Sequence, residues 1–241
     1  MVAGSPAAPS ALLWDVDGTL AETEEHGHRP AFNRAFAEAG LPWHWDPLTY
    51  RRLLAVSGGR ERIAFYLSEL EAEPPEPVVL EKLLARKQVH YDDILRGGSL
   101  PLRPGVARLI GEAATAGVPQ AIVTTSSVAA VQALAENVLG EWRDGFAFWI
   151  CGEDVAMKKP HPEAYHLALA RLGFGPQGVV VIEDSSSGLA AARSAGLACV
   201  VTLSSLSVHE PPAAFAGARA VVEGLGDGVT LSYLASLLDP P

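Results

Sequence analysis

The chain has 241 residues, with 28 acidic and 18 basic side chains and a formal net charge of −10. That balance excludes a nucleic-acid binder, which needs a basic face to displace counterions. Apolar residues make up 49% of the sequence, enough for one large α/β core or a core with a small insert.

Residues 11–16 form the first apolar run, in which Ala11-Leu12-Leu13-Trp14 lead straight into Asp15-Val16-Asp17-Gly18-Thr19-Leu20. The run is predicted as a strand that delivers two carboxylates into a sharp turn at Gly18. An ionised Asp15 can attack phosphorus and carry the phosphoryl group as a mixed anhydride. Asp17 can protonate a leaving oxygen and later deprotonate water, and the neighbouring charge of Asp15 is expected to raise its pKa for that task.

Residues 24–98 read differently. Phe32, Ala35, Phe36 and Ala39 recur at helical spacing, as do Ile63, Tyr66, Leu67 and Leu70, then Leu80, Leu83, Leu84 and Lys87. No strand pattern interrupts them. The polar residues 21–27 and the turn-rich residues 96–104 are predicted to join this helical insert to the core. Further short apolar runs follow at residues 120–125, 147–151, 178–183 and 198–202, alternating with helical stretches. A loop rich in Ser, Pro, Ala and Gly then runs to Arg219, and Val221 and Val222 are predicted as a final edge strand. Such alternation implies βαβ units and an α/β fold built on a parallel sheet, with ligands outside the C-terminal strand ends. Asp15, Thr124 and Asp184 all fall at such ends. The expected division is a core of residues 1–22 and 99–241 with a helical unit of residues 23–98.

Cys151 and Cys199 lie beside apolar runs and read as buried thiols. The first residues lack a basic start followed by a long apolar stretch, and no run reaches the ~20 apolar residues of a membrane helix. A cytoplasmic monomer without membrane or nucleic-acid partners is the expectation.

Three later motifs accompany the acidic loop: Ile122-Val123-Thr124-Thr125, Lys158-Lys159-Pro160, and Val180-Val181-Ile182-Glu183-Asp184-Ser185. Together and in this order they resemble the four motifs of the haloacid dehalogenase superfamily. The resemblance implies a Rossmann-like core with an all-helical cap inserted after the first strand, and a phosphatase working through an aspartyl-phosphate on Asp15. It implies Mg²⁺ held by Asp15, the backbone carbonyl of Asp17 and Asp184, and a phosphoryl group held by Thr124 and Lys159. Glu183 is expected to orient metal waters or Lys159. Thr125 and Ser126 either offer backbone N–H groups to phosphate or simply open a helix with Ser127.

The insert, with Glu24, His28, Gly58-Gly59-Arg60-Glu61-Arg62 and Lys87, resembles the CbbY subgroup, which is related in layout to β-phosphoglucomutase and acts on sugar phosphates. Gly58 and Gly59 would let backbone approach an anion, with Arg60, Arg62 and Lys87 adding charge. Glu24 would bind sugar hydroxyls, and His28 would donate to the acidic loop or to the bridging oxygen. Plain surface or structural roles remain open for each of these residues. Arg51 and Arg52 read as surface residues. One departure is visible: His26-Gly27 looks like a small insertion that disturbs the register before His28. A sugar bisphosphate, with xylulose 1,5-bisphosphate first, is the substrate implied; a phosphomutase or a phosphoglycolate phosphatase shares the same core residues. A silent ligand-binding relative would have no need of the intact set Asp15, Asp17, Lys159 and Asp184.

Overall fold

The computed structural model describes residues 8–226 and 228–238. Its centre is a six-stranded sheet: β1 (Ala11–Trp14), β2 (Gln120–Val123), β3 (Phe148–Ile150), β4 (Val179–Glu183), β5 (Ala198–Thr202) and β6 (Ala220–Val222). The spatial order is β3-β2-β1-β4-β5-β6, and every neighbouring pair is parallel. The chain first winds outward from β1 through β2 to β3, then returns to place β4 on the other side of β1. The strand order therefore reverses between β1 and β4, and the crevice beyond their C-terminal ends is where such sheets bind ligands. Strands β1 and β2 stop earlier than the apolar runs suggested, because Asp15 and Thr124 already belong to the turns that follow.

Both sheet faces are covered, which explains the unbroken hydrophobicity of the central strands. Leu12 and Trp14 point into a cluster with Val106, Leu109 and Ile110 of α5 (Val106–Thr115). That cluster also takes in Val131 and Leu134 of α6 (Val128–Leu134). Ala11 and Leu13 point the other way, toward Tyr165 and Ala168 of α7 (Glu163–Leu172) and Leu189 of α8 (Ser186–Ser194). The buried Trp14 indole donates to Gln120 Oε1 at 3.0 Å, so neither polar atom is stranded inside. Cys151 and Cys199 are buried free thiols, as expected.

Between β1 and α5 the chain forms α1 (Arg29–Glu38), α2 (Pro47–Leu53), α3 (Gly59–Glu69) and α4 (Pro77–Arg96). Three match the helical spacing seen in the sequence. The seven-residue α2 is too short to show a period. It is instead marked by its cap, where Asp46 accepts from Thr49 N at 2.8 Å and Pro47 occupies the first turn. These helices enclose an apolar cluster of their own, centred on Phe32, Phe36, Trp45, Tyr50, Ile63 and Leu67. A last helix, α9 (Leu231–Ser236), begins at the Thr230 cap and closes over the first sheet face. Among the described residues, no helix is long and apolar enough to cross a membrane.

The separate helical cluster generates a stability prediction. Phe36→Ala removes a fully buried ring and should cost about 3–5 kcal/mol within that cluster. Amide exchange should quicken across α1–α4 while β1 and β4 keep their protection; equal acceleration in β1 and β4 would show one cooperative unit instead.

Candidate active site

The backbone after β1 turns at Gly18, which has φ +83°, a conformation that favours glycine. A side chain there would also meet Asp184, whose Oδ2 lies 2.1 Å from the position of an added Cβ. The close approach brings the β1 and β4 ends together. Carboxylate oxygens of Asp15, Glu183 and Asp184 come within 4.8 Å of one another, and all three residues are buried. Burial, then the charges of Glu183 and Asp17, push the Asp15 carboxyl well above the usual range, against the pull of Lys159. Asp184 is raised by burial and by the charges of Asp15 and Glu183. Two like charges this close repel by roughly 3–4 kcal/mol at an effective dielectric near 20. One ammonium cannot offset that repulsion for all three groups. The all-oxygen donor set, buried and short of positive charge, fits a hard divalent cation.

Lys159 is the ammonium. Its Nζ donates to Asp15 Oδ1 at 2.7 Å, Val123 O at 2.8 Å and Glu183 Oε1 at 2.5 Å. Three protons meet three acceptors, so its donors are fully used. Burial works against the charged form, but the charges of Asp15 and Glu183 outweigh it and hold the lysine above its ordinary value. Glu183 is a hub for donors alone. Its Oε1 also accepts from Tyr165 OH at 2.9 Å, and its Oε2 accepts from Asp184 N and from Ser185 Oγ, both at 3.2 Å. Gly188 in α8 leaves the room: a Cβ there would lie 1.9 Å from the Glu183 carboxylate.

Asp17 corrects an expectation. The charge of Asp15 was expected to raise its pKa, yet Asp17 is held well below the usual carboxylate range. Burial would raise it, but the charge of His28 and hydrogen bonds from His28, Ser126 and Thr23 prevail. His28 Nε2 lies 3.0 Å from Asp17 Oδ1, Thr23 Oγ1 donates to the same oxygen, and Ser126 Oγ donates to Oδ2. Ser126 thus serves Asp17, and Ser127 rather than Ser126 caps α6. Thr124, expected to hold phosphate, turns its Oγ1 to Ser126 N at 3.1 Å; Thr125 is the residue of this pair that faces the cleft.

His26-Gly27, which the sequence suggested as a small insertion, lies within a wide π-helical turn, Glu24–His28. Gly27 packs on Tyr91, where a Cβ would be 2.8 Å from the ring. His28 stays buried, stacked on Tyr91 at 4.2 Å. Lys87 Nζ lies 2.8 Å from His28 Nδ1. Those two nitrogens cannot both donate, so one proton lies between them while Nε2–H faces Asp17. Burial lowers the Lys87 pKa to about 8, despite the nearby charges of Glu24 and Asp17. Lys87 therefore acts through His28 and does not line the cleft.

The cleft itself, about 720 Å³, is lined by Asp15, Asp17, Asp184 and Lys159 below and by Glu24, Ser57 and Arg62 from the helices above. Arg62 and Glu24 share a partner: Arg62 donates to Tyr50 OH at 2.8 Å, and Tyr50 OH donates to Glu24 Oε2. Arg60 does not join them. It is exposed and paired with Glu81, because it lies on the opposite face of α3. Gly58 and Gly59 are also outside the cleft lining; Gly59 gives room to Phe32 and Leu84, and Gly58 to the Lys158–Glu61 pair. Arg51 and Arg52, read as surface residues, line the cleft mouth, with Arg52 paired to Glu69.

Sequence reasoning missed three residues altogether. Glu22 lines the cleft and binds both Arg103 and Ser205. Arg103 clamps the carbonyls of Gly18 and Leu203, the latter at 2.5 Å, and so ties the acidic turn to the segment after β5. Ser204 donates to Asp184 Oδ2 at 2.6 Å. Only the adjacent turn signals Pro104-Gly105 hinted that Arg103 was fixed in place.

Residues 9–196 match the haloacid dehalogenase-like hydrolase family. The chain belongs to that family. It is 46% identical over 222 residues to the plasmid-encoded protein CbbY of Cupriavidus necator, covering 90% of this chain and 86% of that one. The crystal structure of CbbY from Rhodobacter sphaeroides in complex with phosphate superposes with a TM-score of 0.86 at 40% identity, covering 96% of this chain and 100% of that one. A mutant of the same protein has been solved in complex with xylulose-(1,5)bisphosphate, with the same TM-score of 0.86. A phosphorylated carbohydrates phosphatase of Thermotoga maritima is 30% identical, over 78% of this chain and 82% of the relative. The protein is a phosphatase of the haloacid dehalogenase type.

The Glu183 hub makes a specific prediction. Glu183→Gln keeps the shape but places an NH₂ group against donors and leaves Lys159 with one anionic partner fewer. Stability should fall by about 3 kcal/mol in urea unfolding; an unchanged midpoint would refute the donor-only environment.

Proposed function

We propose that the protein hydrolyses a small sugar phosphate through an aspartyl-phosphate on Asp15, with xylulose 1,5-bisphosphate as the first substrate. The observation that carries this reading is the gathering of Asp15, Lys159 and Asp184 at the β1–β4 switch point, beneath a cleft large enough for a phosphorylated sugar. The choice of sugar is supported by the likeness to CbbY of Rhodobacter sphaeroides, whose mutant binds xylulose-(1,5)bisphosphate.

Asp15, the backbone carbonyl of Asp17 and Asp184 would hold Mg²⁺. When bound, the ion would neutralise charge shared between the Asp15 carboxylate and the incoming phosphoryl oxygens. Asp15 attacks phosphorus, and the sugar oxygen leaves with the electrons of the broken P–O bond. Lys159 gives up one of its three internal acceptors to contact a phosphoryl oxygen and stabilises the charge developing there. Asp17 takes up a proton from its hydrogen-bond partner His28 Nε2–H, turns from Thr23 and Ser126 toward the leaving oxygen and protonates it, while His28 is reprotonated from solvent. It then removes a proton from the water that releases phosphate from Asp15. Holding Asp17 as a carboxylate beside His28 suits the second half of this cycle. The helices α1–α4 act as a cap, excluding bulk water and presenting Glu24 and Arg62 to the sugar. A second phosphate on the substrate meets Arg51 or Arg62 across the cleft.

The test is phosphate release from a panel of sugar mono- and bisphosphates, with Mg²⁺ and with a chelator. Asp15→Asn should abolish release while the fold is kept, and Asp17→Ala should lower turnover by about 10²–10⁴-fold. In acid-quenched reactions the ³²P label should reside on Asp15. Normal turnover by Asp15→Asn, or label on another side chain, would overturn the nucleophile assignment. Isomerised sugar phosphate formed without released phosphate would mark a mutase instead.

A further inference from the structure

Ser204 follows β5 and is buried where that segment folds back over the acidic cluster. Its hydroxyl donates to Asp184 Oδ2 at 2.6 Å. A small turn with Ser207 sets the direction of that proton. Ser204 N donates to Ser207 Oγ at 2.8 Å, and Ser207 N donates back to Ser204 Oγ at 3.1 Å. The Ser204 hydroxyl has one proton, and a backbone N–H already supplies its acceptor side. The Ser207 hydroxyl, at 3.1 Å, is the weaker competitor for that proton, because a bond to a carboxylate is charge-assisted. On the other flank the Gly18 backbone leaves no space beside Asp184 Oδ2. That oxygen is therefore enclosed between Gly18 and Ser204. Among the described residues, no side chain donates to Oδ1 of Asp184.

We propose that Ser204 is a positioning residue that confines Asp184 to offering one oxygen to a divalent cation, and thereby makes the site prefer magnesium over calcium. The inference rests on the reading of Asp15 and Asp184 as a cation site. Mg²⁺ demands six oxygens in near-ideal octahedral geometry, whereas Ca²⁺ takes six to eight and readily uses both oxygens of one carboxylate. A carboxylate with Oδ2 tied to Ser204 suits the first ion and handicaps the second. Removing the tie frees Asp184 to rotate and to chelate with both oxygens. Outer partners of metal ligands commonly set ligand orientation in this manner. Ser204 lies outside the four motifs, in a loop that the sequence marks only as rich in serine.

Calorimetric titration of the metal-free protein with MgCl₂ alone and with CaCl₂ alone tests this. For Ser204→Ala, magnesium affinity should fall by about 10–100-fold while calcium affinity changes by less than about threefold, so that the preference for magnesium drops by roughly tenfold or more. Ser204→Thr keeps the donor and should restore the wild-type ratio. A uniform loss for both ions, or no change in either, overturns the role given to Ser204. If wild type binds neither ion, the cation site itself is wrong and this inference falls with it; if wild type binds both and only the variant ratio fails to move, the site stands and Ser204 does not select. Thermal unfolding of each metal-free variant reports folding. Should Ser204→Ala not fold, Ser207→Ala removes the acceptor that holds the Ser204 backbone, and it should shift the ratio in the same direction by a smaller factor; an unmoved ratio there also overturns the proposal.

Discussion

Mutual repulsion among Asp15, Glu183 and Asp184 is the constraint around which the rest of the molecule is arranged. Their oxygens lie within 4.8 Å of one another, and all three side chains are buried. One ammonium, Lys159, lies between two of them, and all three of its protons are committed. Three carboxylates and one ammonium leave two negative charges uncompensated, which one divalent cation would neutralise. That deficit is the chemical potential of the site: a divalent ion and a phosphoryl group can enter together with less net change in charge than either alone.

Much of the surrounding structure exists to keep that unfavourable group compact. Gly18 and Gly188 supply space at the two points where a methyl group would strike a carboxylate. Backbone N–H groups and hydroxyls at the start of α8 converge on Glu183. Arg103 binds the acidic turn to the segment after β5, and Ser204 grips Asp184 from that segment. None of these contacts belongs to the apolar core, yet each depends on the sheet order that puts β4 beside β1. Topology brings the charges together, and polar loops hold them there.

Asp17 stands apart from this cluster in both position and charge. Its partners come from the helical region and from the loop after β2, so its protonation is governed by His28 and, behind His28, by Lys87 on α4. Lys159 and the carboxylate cluster are thus held within the sheet domain, whereas Asp17 is held jointly by the helical region and the loop after β2.

The sequence by itself determined the parallel α/β sheet, the helical insert and the three polar strand ends. Each is a local property: apolar runs set strands, helical spacing sets helices, and a carboxylate after an apolar run falls at a strand end. It also marked Asp15, Lys159, Glu183 and Asp184 as companions, because they lie in motifs that travel together. Tertiary structure alone decided which residues of the helical insert face the cleft. Arg60 and Arg62 are two positions apart, and a helical turn sends one outward to Glu81 and the other inward to Tyr50. Tertiary structure also decided the charge of Asp17, since the pull of His28 and two hydroxyls outweighs burial, and no spacing rule reports such a sum. Glu22, Arg103 and Ser204 were invisible for the same reason: their roles come from partners distant in sequence, 20 residues away for Ser204 and 85 or more for Arg103 and Glu22 with Gly18 and Ser205, which only the folded chain brings within hydrogen-bonding reach.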